Sequence, residues 1–317
     1  MTSRHVYDVE LRPLLGSTFQ PTGFPDLGAA TFDRWDEDGT TPALLVESVQ
    51  SMANRLEATA WDRGAAAPAT EVDGLPYVRV VRAGTEDFLT SSRLEAHRLA
   101  SPFVRTAKLD GQDMEKVIGD RLGLAKDSPL DYRRMAEAVL ALDPFCLIHG
   151  VFFSQKSWLG QPKFPRAVSA VIEAHDVRRV VSGGRKSDHV RHQLDKDGEG
   201  GGTAEGYGSV PFSRVEWTAR RIVASFAVDV ELLRSYGLPP AATELLESVA
   251  LWEIRTLLSR GLRLRTACDL EVVADAVVRS GSPLPGADEL AARIRELIGE
   301  AGDSLGAGGP ITVAWKG

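Results

Sequence analysis

TPALLVESVQSMANRLEATA, residues 41–60, is the stretch on which the reading of this chain turns. Thr41 offers a capping hydroxyl and Pro42 a first-turn proline, so the pattern predicts a helix that starts here. Leu45, Val49, Met52, Leu56 and Ala60 recur at helical intervals and predict a face turned to a core, with Glu47, Gln50, Asn54 and Arg55 on the opposite side. Upstream, Val6 to Leu14 alternates as a strand does, and a Pro- and Gly-rich loop, FQPTGFPDLGAATF, leads into the acidic run Asp33 to Asp38. Downstream, Leu75 to Ala83 carries Tyr77, Val78, Val80 and Val81 and reads as a strand. The chain is thus expected to open β-α-β.

Residues 86–145 read as helical throughout, in three stretches: TSSRLEAHRLASPF, Asp113 to Leu122, and Asp131 to Leu142. This block has the character of an insertion. Strand signals return at Cys146 to Phe153 and Ala167 to Val177, and again at Ile222 to Val230 beyond a Gly-rich stretch, KDGEGGGTAEGYG, that reads as a mobile loop. A helix over Thr243 to Arg260 capped by Gly261, a strand over Leu262 to Val273, a helix over Ala287 to Ile298 and a short strand over Ile311 to Trp315 complete a mixed pattern.

The chain has 317 residues, 43% hydrophobic and 26% charged, enough for one large core. No stretch approaches eighteen consecutive apolar residues, and MTSRHVYDVELRPLL lacks the basic start and apolar run of an export signal, so a soluble cytoplasmic protein is expected. Cys146 and Cys268 sit in apolar runs, as buried thiols of a reducing compartment do. A net charge of -7 excludes a protein that coats nucleic acid over its whole surface; any positive charge that meets phosphate must be local.

The hydrolase, metalloprotease, phosphate-loop and Cys-x-x-Cys signatures are all absent. Asp36, Asp38 and Gly39 fit part of a calcium loop, but that register puts Arg34 at its first ligand position and Leu45 at its last, so the run reads as a solvated acidic loop. His189 and His192 lack thiolate or carboxylate partners at metal-site spacing, and the glycines of Gly198 to Gly208 do not follow a strand and open a helix. HGVFF at 149–153 resembles an RNA-recognition aromatic strand without its basic-Gly-aromatic order and reads as a core strand.

The basic segment RRVVSGGRKSDHVRH, residues 178–192, holds five Lys or Arg against one acid, and Arg214, Arg220 and Arg221 follow. In an acidic chain this is a local positive patch suited to phosphate oxygens, or else a solvated edge hairpin blunted by charge. A second candidate is Thr90, Ser91, Ser92, Arg93, His97 and Arg98, where hydroxyls at a helix start offer backbone N–H groups to an anion.

Five ordered segments, LLVESVQSMANRLEA (44–58), LTSSRLEAHRLASPF (89–103), the GGRKSD turn (183–188), EGYGSVPFSRVEWTA (205–219) and LRLRTACDLE (262–271), together resemble the RAMP-superfamily backbone subunit, the Cas-seven type, of CRISPR Cascade subtype I-G, formerly I-U. The resemblance implies an α+β fold spanning 1–317 as a single domain: a modified RNA-recognition-motif (RRM, ferredoxin-like) palm, an inserted helical finger region at 86–145 and a β-hairpin thumb at 178–217. It also implies a non-catalytic, crRNA-binding subunit that forms a head-to-tail filament along the guide for target DNA recognition and antiviral defence. Its partners would be the crRNA, the target DNA strand paired to it, further copies of itself, the large subunit and the fused crRNA-processing subunit, with no cofactor and no membrane. The residues expected on phosphate and ribose are Gln50, Asn54 and Arg55 on the first helix, Ser92, Arg93 and Arg98 at the finger entrance, and Arg185, Lys186, His189 and Arg191 on the thumb. Enzymatic cousins cut RNA with a loop aspartate and metal, so Asp26, Asp33 and Asp36 mark the alternative of a metal-dependent ribonuclease.

Overall fold

A computed structural model describes residues 3–24, 27–37, 39–187 and 209–316. The frame is an antiparallel sheet built from β1 (Arg4–Pro13), β2 (Thr31–Asp36) and β3 (Gly39–Glu47), followed by helix α1 (Val49–Thr59). Strands β4 (Tyr77–Arg82) and β5 (Phe88–Ser91) and helices α2 (Pro102–Arg105), α3 (Met114–Leu122), α4 (Tyr132–Leu142) and α5 (Phe145–Ile148) come next. Two long strands, β6 (Val168–Ser187) and β7 (Ser209–Asp229), precede α6 (Val230–Ser235), α7 (Pro240–Ser259), β8 (Leu262–Arg265), β9 (Cys268–Val272), β10 (Val277–Ser280), α8 (Ala287–Ala301) and β11 (Pro310–Trp315). The main sheet runs in space β8-β9-β1-β7-β6-β3-β2, with β10 also on β1.

Alternation explains which side of this sheet is covered. Tyr7, Val9 and Leu11 of β1, Ala170, Ile172 and Ala174 of β6, and Ile222, Ala224, Phe226 and Val228 of β7 are buried, and they share one core with Met52 and Leu56 of α1 and Leu246, Val249 and Trp252 of α7. Helices α1 and α7 thus pack on one face of an antiparallel sheet, the α+β arrangement. A second, five-stranded sheet has β11 at its centre, paired parallel with β4, which in turn pairs antiparallel with the edge strand β5.

Several expectations are corrected here. Residues 41–47 are strand, not helix: the chain folds back from β2 with Asp33 opposite Pro42, and α1 starts only after Ser48, whose Oγ accepts from Ser51 N–H at 3.3 Å. Pro42 is tolerated because β3 pairs with β6 only over 43–47, leaving Pro42 beside a single neighbour. Glu47 therefore lies buried in a strand rather than on an outer helix face. The 75–83 strand exists but joins the second sheet, so the chain does not continue as a β-α-β unit of the first.

The stretch 90–103 is not a helix. Thr90 and Ser91 end β5, Arg98 takes a left-handed φ of 50° at the start of a 3-10 turn, Arg98–Ala100, and the single α-helical turn is Pro102–Arg105, capped by Ser101. The block 86–145 is accordingly mixed: α3 and α4 lie where expected, while the short strands Lys108–Leu109 and Gln112–Asp113 weave it into the second sheet. Cys146 lies in α5 rather than a strand, because the Asp143 carboxylate accepts from Phe145 N–H at 3.1 Å and starts a helical turn that ends at Gly150, φ 84°. The 262–273 segment is two strands: Arg265 and Cys268 pair across a tight turn. Lastly, Gly183 and Gly184 are not a turn but lie within β6, opposite Ser213 and Phe212.

Candidate nucleic-acid interface

β6 and β7 keep one antiparallel register from Val168 opposite Val228 to Ser187 opposite Ser209. Sheet neighbours accompany only the lower part, β3 at Ile172 to His175 and β1 at Ile222 to Asp229. Beyond these neighbours the arm has one further backbone partner among the described residues, the bridge between Trp217 and Phe19. From Val177 to Ser187 the arm extends roughly 35 Å at about 3.3 Å per residue. The Gly-rich stretch expected to be a mobile loop lies outside the described residues, as do His189, Arg191 and His192.

Charge gathers at the root of this arm. Arg178, Arg179 and Arg185 on β6 and Arg220 and Arg221 on β7 are exposed, and Arg214 is half-buried. Arg214 stands 4.9 Å over the Phe212 ring and 3.7 Å from Glu216, whereas Arg178, Arg179 and Arg220 have no ion-pair partner among the described residues. Arg179 sits opposite Trp217, and Phe19 and Trp217 exchange two backbone hydrogen bonds of 2.9 Å. That exchange ties the loop after β1 to the arm and closes a cleft of about 760 Å³ lined by Gln20, Thr22, Thr31, Arg179, Ser213, Arg214, Trp217 and Arg265.

The floor of the cleft is rigid. Arg265 donates to the Gln20 carbonyl at 2.9 Å and to the buried Glu47 carboxylate. Arg55 reaches the same carboxylate at 3.7 Å and donates to the Leu264 carbonyl at 2.7 Å. Glu47 is thus a buried acid between two guanidiniums, which fixes Arg265 and leaves the cleft with excess positive charge from Arg179 and Arg214. Two unpaired or weakly paired guanidiniums, Ser213 and an indole in one concavity can hold a phosphate and cover a base or ribose.

The first-helix candidates divide. Gln50 and Asn54 are exposed one turn apart on α1, and Arg55 belongs to the Glu47 pair. Arg185 is exposed on the arm and Lys186 follows it in β6. Asp33 is exposed on β2 and Asp36 ends that strand, while Asp26 lies outside the described residues.

Ser92, Arg93 and Arg98 lie in the interior, which corrects the expectation that they face an anion from a helix start. Ser92 donates to Asp143 at 2.5 Å and accepts from Val78 N–H at 3.0 Å. Arg93 is stacked over Phe145, 4.2 Å from the ring centre, donates to the carbonyls of Leu75 and Pro76, and lies 3.7 Å from Asp143. Arg98 grips Glu57 with two bonds of 2.7 Å and donates to the Gly150 carbonyl at 2.9 Å. Beside them His149 Nε2 stands 2.9 Å from both oxygens of Glu253, and both side chains are fully buried. Burial pushes the Asp143 and Glu253 carboxyls up and holds the His149 imidazole down at about 4. This network clamps α1, α5, α7 and the 92–101 turn together. Trp217 and Arg265 are among the cleft residues that sequence reading does not single out. Both lie in segments quoted above, VEWTA and LRLRT, but only the fold brings them together.

The family model of CRISPR-associated protein GSU0053 (Cas_GSU0053) matches residues 6–179, more than half of the chain. Among solved structures, a chain of a "CRISPR RNA-guided surveillance complex, pre-nicking" is similar over 81% of this chain and 69% of its own length, at 13% identity and a TM-score of 0.39. The "Crystal structure of Thermofilum pendens Csc2" is similar over 95% of this chain and 77% of that one, at 12% identity and a TM-score of 0.34. No curated protein matches. Through the match over residues 6–179, the chain belongs to the CRISPR-associated GSU0053 family.

Proposed function

We propose that the chain is a non-catalytic crRNA-binding backbone subunit of a type I CRISPR Cascade effector, of subtype I-G, and that the cleft between Arg179, Arg214, Arg265 and Trp217 holds the guide's sugar-phosphate backbone. The observation that carries this is the cleft itself: Arg179 without an ion-pair partner among the described residues and Arg214 only 3.7 Å from Glu216, gathered on a long hairpin in a chain of net charge -7. Strands β1, β6, β7 and β9 with helices α1 and α7 run β-α-β-β-α-β in sequence and β9-β1-β7-β6 in space, which supports reading them as an RRM-like, ferredoxin-like palm. In this reading the block 86–145 is the finger and 178–217 the thumb. Copies assemble head-to-tail in the cytoplasm, with acidic faces meeting neighbours, and the large and crRNA-processing subunits close the ends. The guide, by base pairing, selects the target DNA strand.

Within this reading Ser92, Arg93 and Arg98 hold the finger to the palm rather than touching RNA. Gln50, Asn54, Arg185 and Lys186, with Arg179 and Arg214 added, are the contact candidates. The test is the salt dependence of guide binding. Arg179→Glu with Arg214→Glu is expected to weaken binding by at least tenfold and to lower the slope of log affinity against log salt by about two; unchanged affinity and slope overturn the cleft assignment. Arg185→Glu with Lys186→Glu is expected to act in the same direction. Cleavage of complementary RNA with Mg²⁺ or Mn²⁺, abolished by Asp26→Ala or Asp33→Ala, is the result that replaces this reading with a ribonuclease.

A further inference from the structure

A second cleft, of about 520 Å³, opens at the hairpin root among Arg34, His175, Arg220, Arg221, Glu10 and Asp176. Its walls come from five strands: β1 gives Glu10, β2 gives Arg34, β3 gives Thr40 and Thr41, β6 gives His175 and Asp176, and β7 gives the two arginines. It forms where the arm leaves the sheet. Asp176 takes a left-handed φ of 51°, and the ladder skips the Asp176–Arg220 step between His175 opposite Arg221 and Val177 opposite Ala219. Beyond this kink the burial alternation changes phase, since Ala170, Ile172 and Ala174 are buried and then Val177.

The charges in this cleft are poorly matched. Arg34 and Arg220 have no ion-pair partner among the described residues, and Arg221 has only Glu10, at 4.0 Å. His175 Nε2 is buried without a hydrogen-bond partner; the nearest carboxylate oxygen, on Glu173, is 3.7 Å away. Arg34, Arg220 and Arg221 face Glu10 and Asp176 here, with Glu173 beside His175, and of the three guanidiniums only Arg221 has an ion-pair partner among the described residues. A buried ring nitrogen left without a partner is costly unless an outside group completes it. An oxyanion does so, accepting from the imidazole N–H while facing the guanidiniums.

We propose that this cleft is a second phosphodiester-binding site, separate from the Arg179–Arg214 cleft, and that it takes the backbone of a nucleic-acid strand crossing the hairpin root. The inference rests on the RNA-binding reading above. The phosphate comes from one of two sources: the guide continuing past the arm, or the strand paired to it.

The experiment uses the full chain and measures affinity at several salt concentrations, first for guide RNA and then for a complementary strand added to guide-loaded protein. Arg34→Gln with Arg220→Gln is expected to weaken one of these steps by about tenfold and to lower its salt slope by about two. Glu10→Gln is expected to tighten the same step by about two- to threefold, an outcome that misfolding does not produce. An effect on the first step assigns the cleft to the guide, and an effect confined to the second assigns it to the paired strand. If neither step moves, as for a cleft that serves an acidic protein segment, or if Glu10→Gln weakens binding, the proposal is overturned. Arg179→Glu with Arg214→Glu, run in parallel, separates the two claims: its failure to weaken guide binding counts against the earlier reading alone.

Discussion

Arg98 shows how differently a residue is read in sequence and in the fold. Beside Ser91, Ser92 and His97 it has the composition of an anion site, yet its guanidinium is buried and forked onto Glu57, 41 positions earlier. No local pattern encodes a partner at that distance. Because the pair is desolvated, Glu57→Ala leaves a buried cation without its acid and is expected to cost about 3 kcal/mol of stability, whereas Glu137→Ala, which breaks the exposed pair with Arg133, is expected to cost under about 0.5 kcal/mol. Denaturant melts of the two variants check the contrast.

The His149–Glu253 pair makes a prediction about pH. Glu253 is raised by burial, so its contribution is fully present below the ordinary carboxylate value of 4.5 and is lost as pH rises toward its folded value. His149 is depressed to about 4, so its contribution is present above 6.5 and is lost as pH falls toward 4. As pH rises above 4.5 the two dependences oppose each other, the Glu253 contribution falling while the His149 contribution grows until about 6.5. Glu253→Gln keeps a hydrogen-bonding partner for His149 and removes that titration. The melting temperature of the variant relative to the parent chain is therefore expected to rise as pH increases above 4.5; a difference that stays constant with pH contradicts the assignment.

At the scale of elements, the legible ones were those whose pattern is long or whose caps are local. Helices α3, α4, α7 and α8 lie where spacing puts them, and so do β1 and the buried halves of β6 and β7. The errors share a cause: a continuous apolar run fits a strand or a helix equally well, and the choice is made by partners distant in sequence. LLVE at 44–47 became strand because β2 and β6 flank it, and FCLI at 145–148 became helix as the Asp143 carboxylate, just before the Pro144 cap, accepts from Phe145 N–H. The arm was legible as a basic segment but not as strand through Gly183 and Gly184. Its register there depends on close approach: a side chain at Gly183 would place Cβ 2.7 Å from the Phe212 carbonyl oxygen. Gly183→Ala is expected to loosen the outer arm, seen as faster amide exchange over 183–187 and 209–213, while exchange in α7 stays unchanged.

For the whole molecule, the net charge of -7 and the arginines at the hairpin root are compatible only if nucleic acid meets a restricted surface. Composition alone required that the positive charge be local, and the basic run at 178–192 showed roughly where. The cleft itself was not legible, because Gln20, Arg179, Arg214, Trp217 and Arg265 converge only through the Phe19–Trp217 bridge and the Glu47 pair. Photo-crosslinking of the full chain to a guide RNA, read out by mass spectrometry, tests the central claim most directly. The account predicts crosslinked peptides from 178–187 and 209–221, with Trp217 among the attachment points. Crosslinks confined to other surfaces, with none on the hairpin root, contradict it.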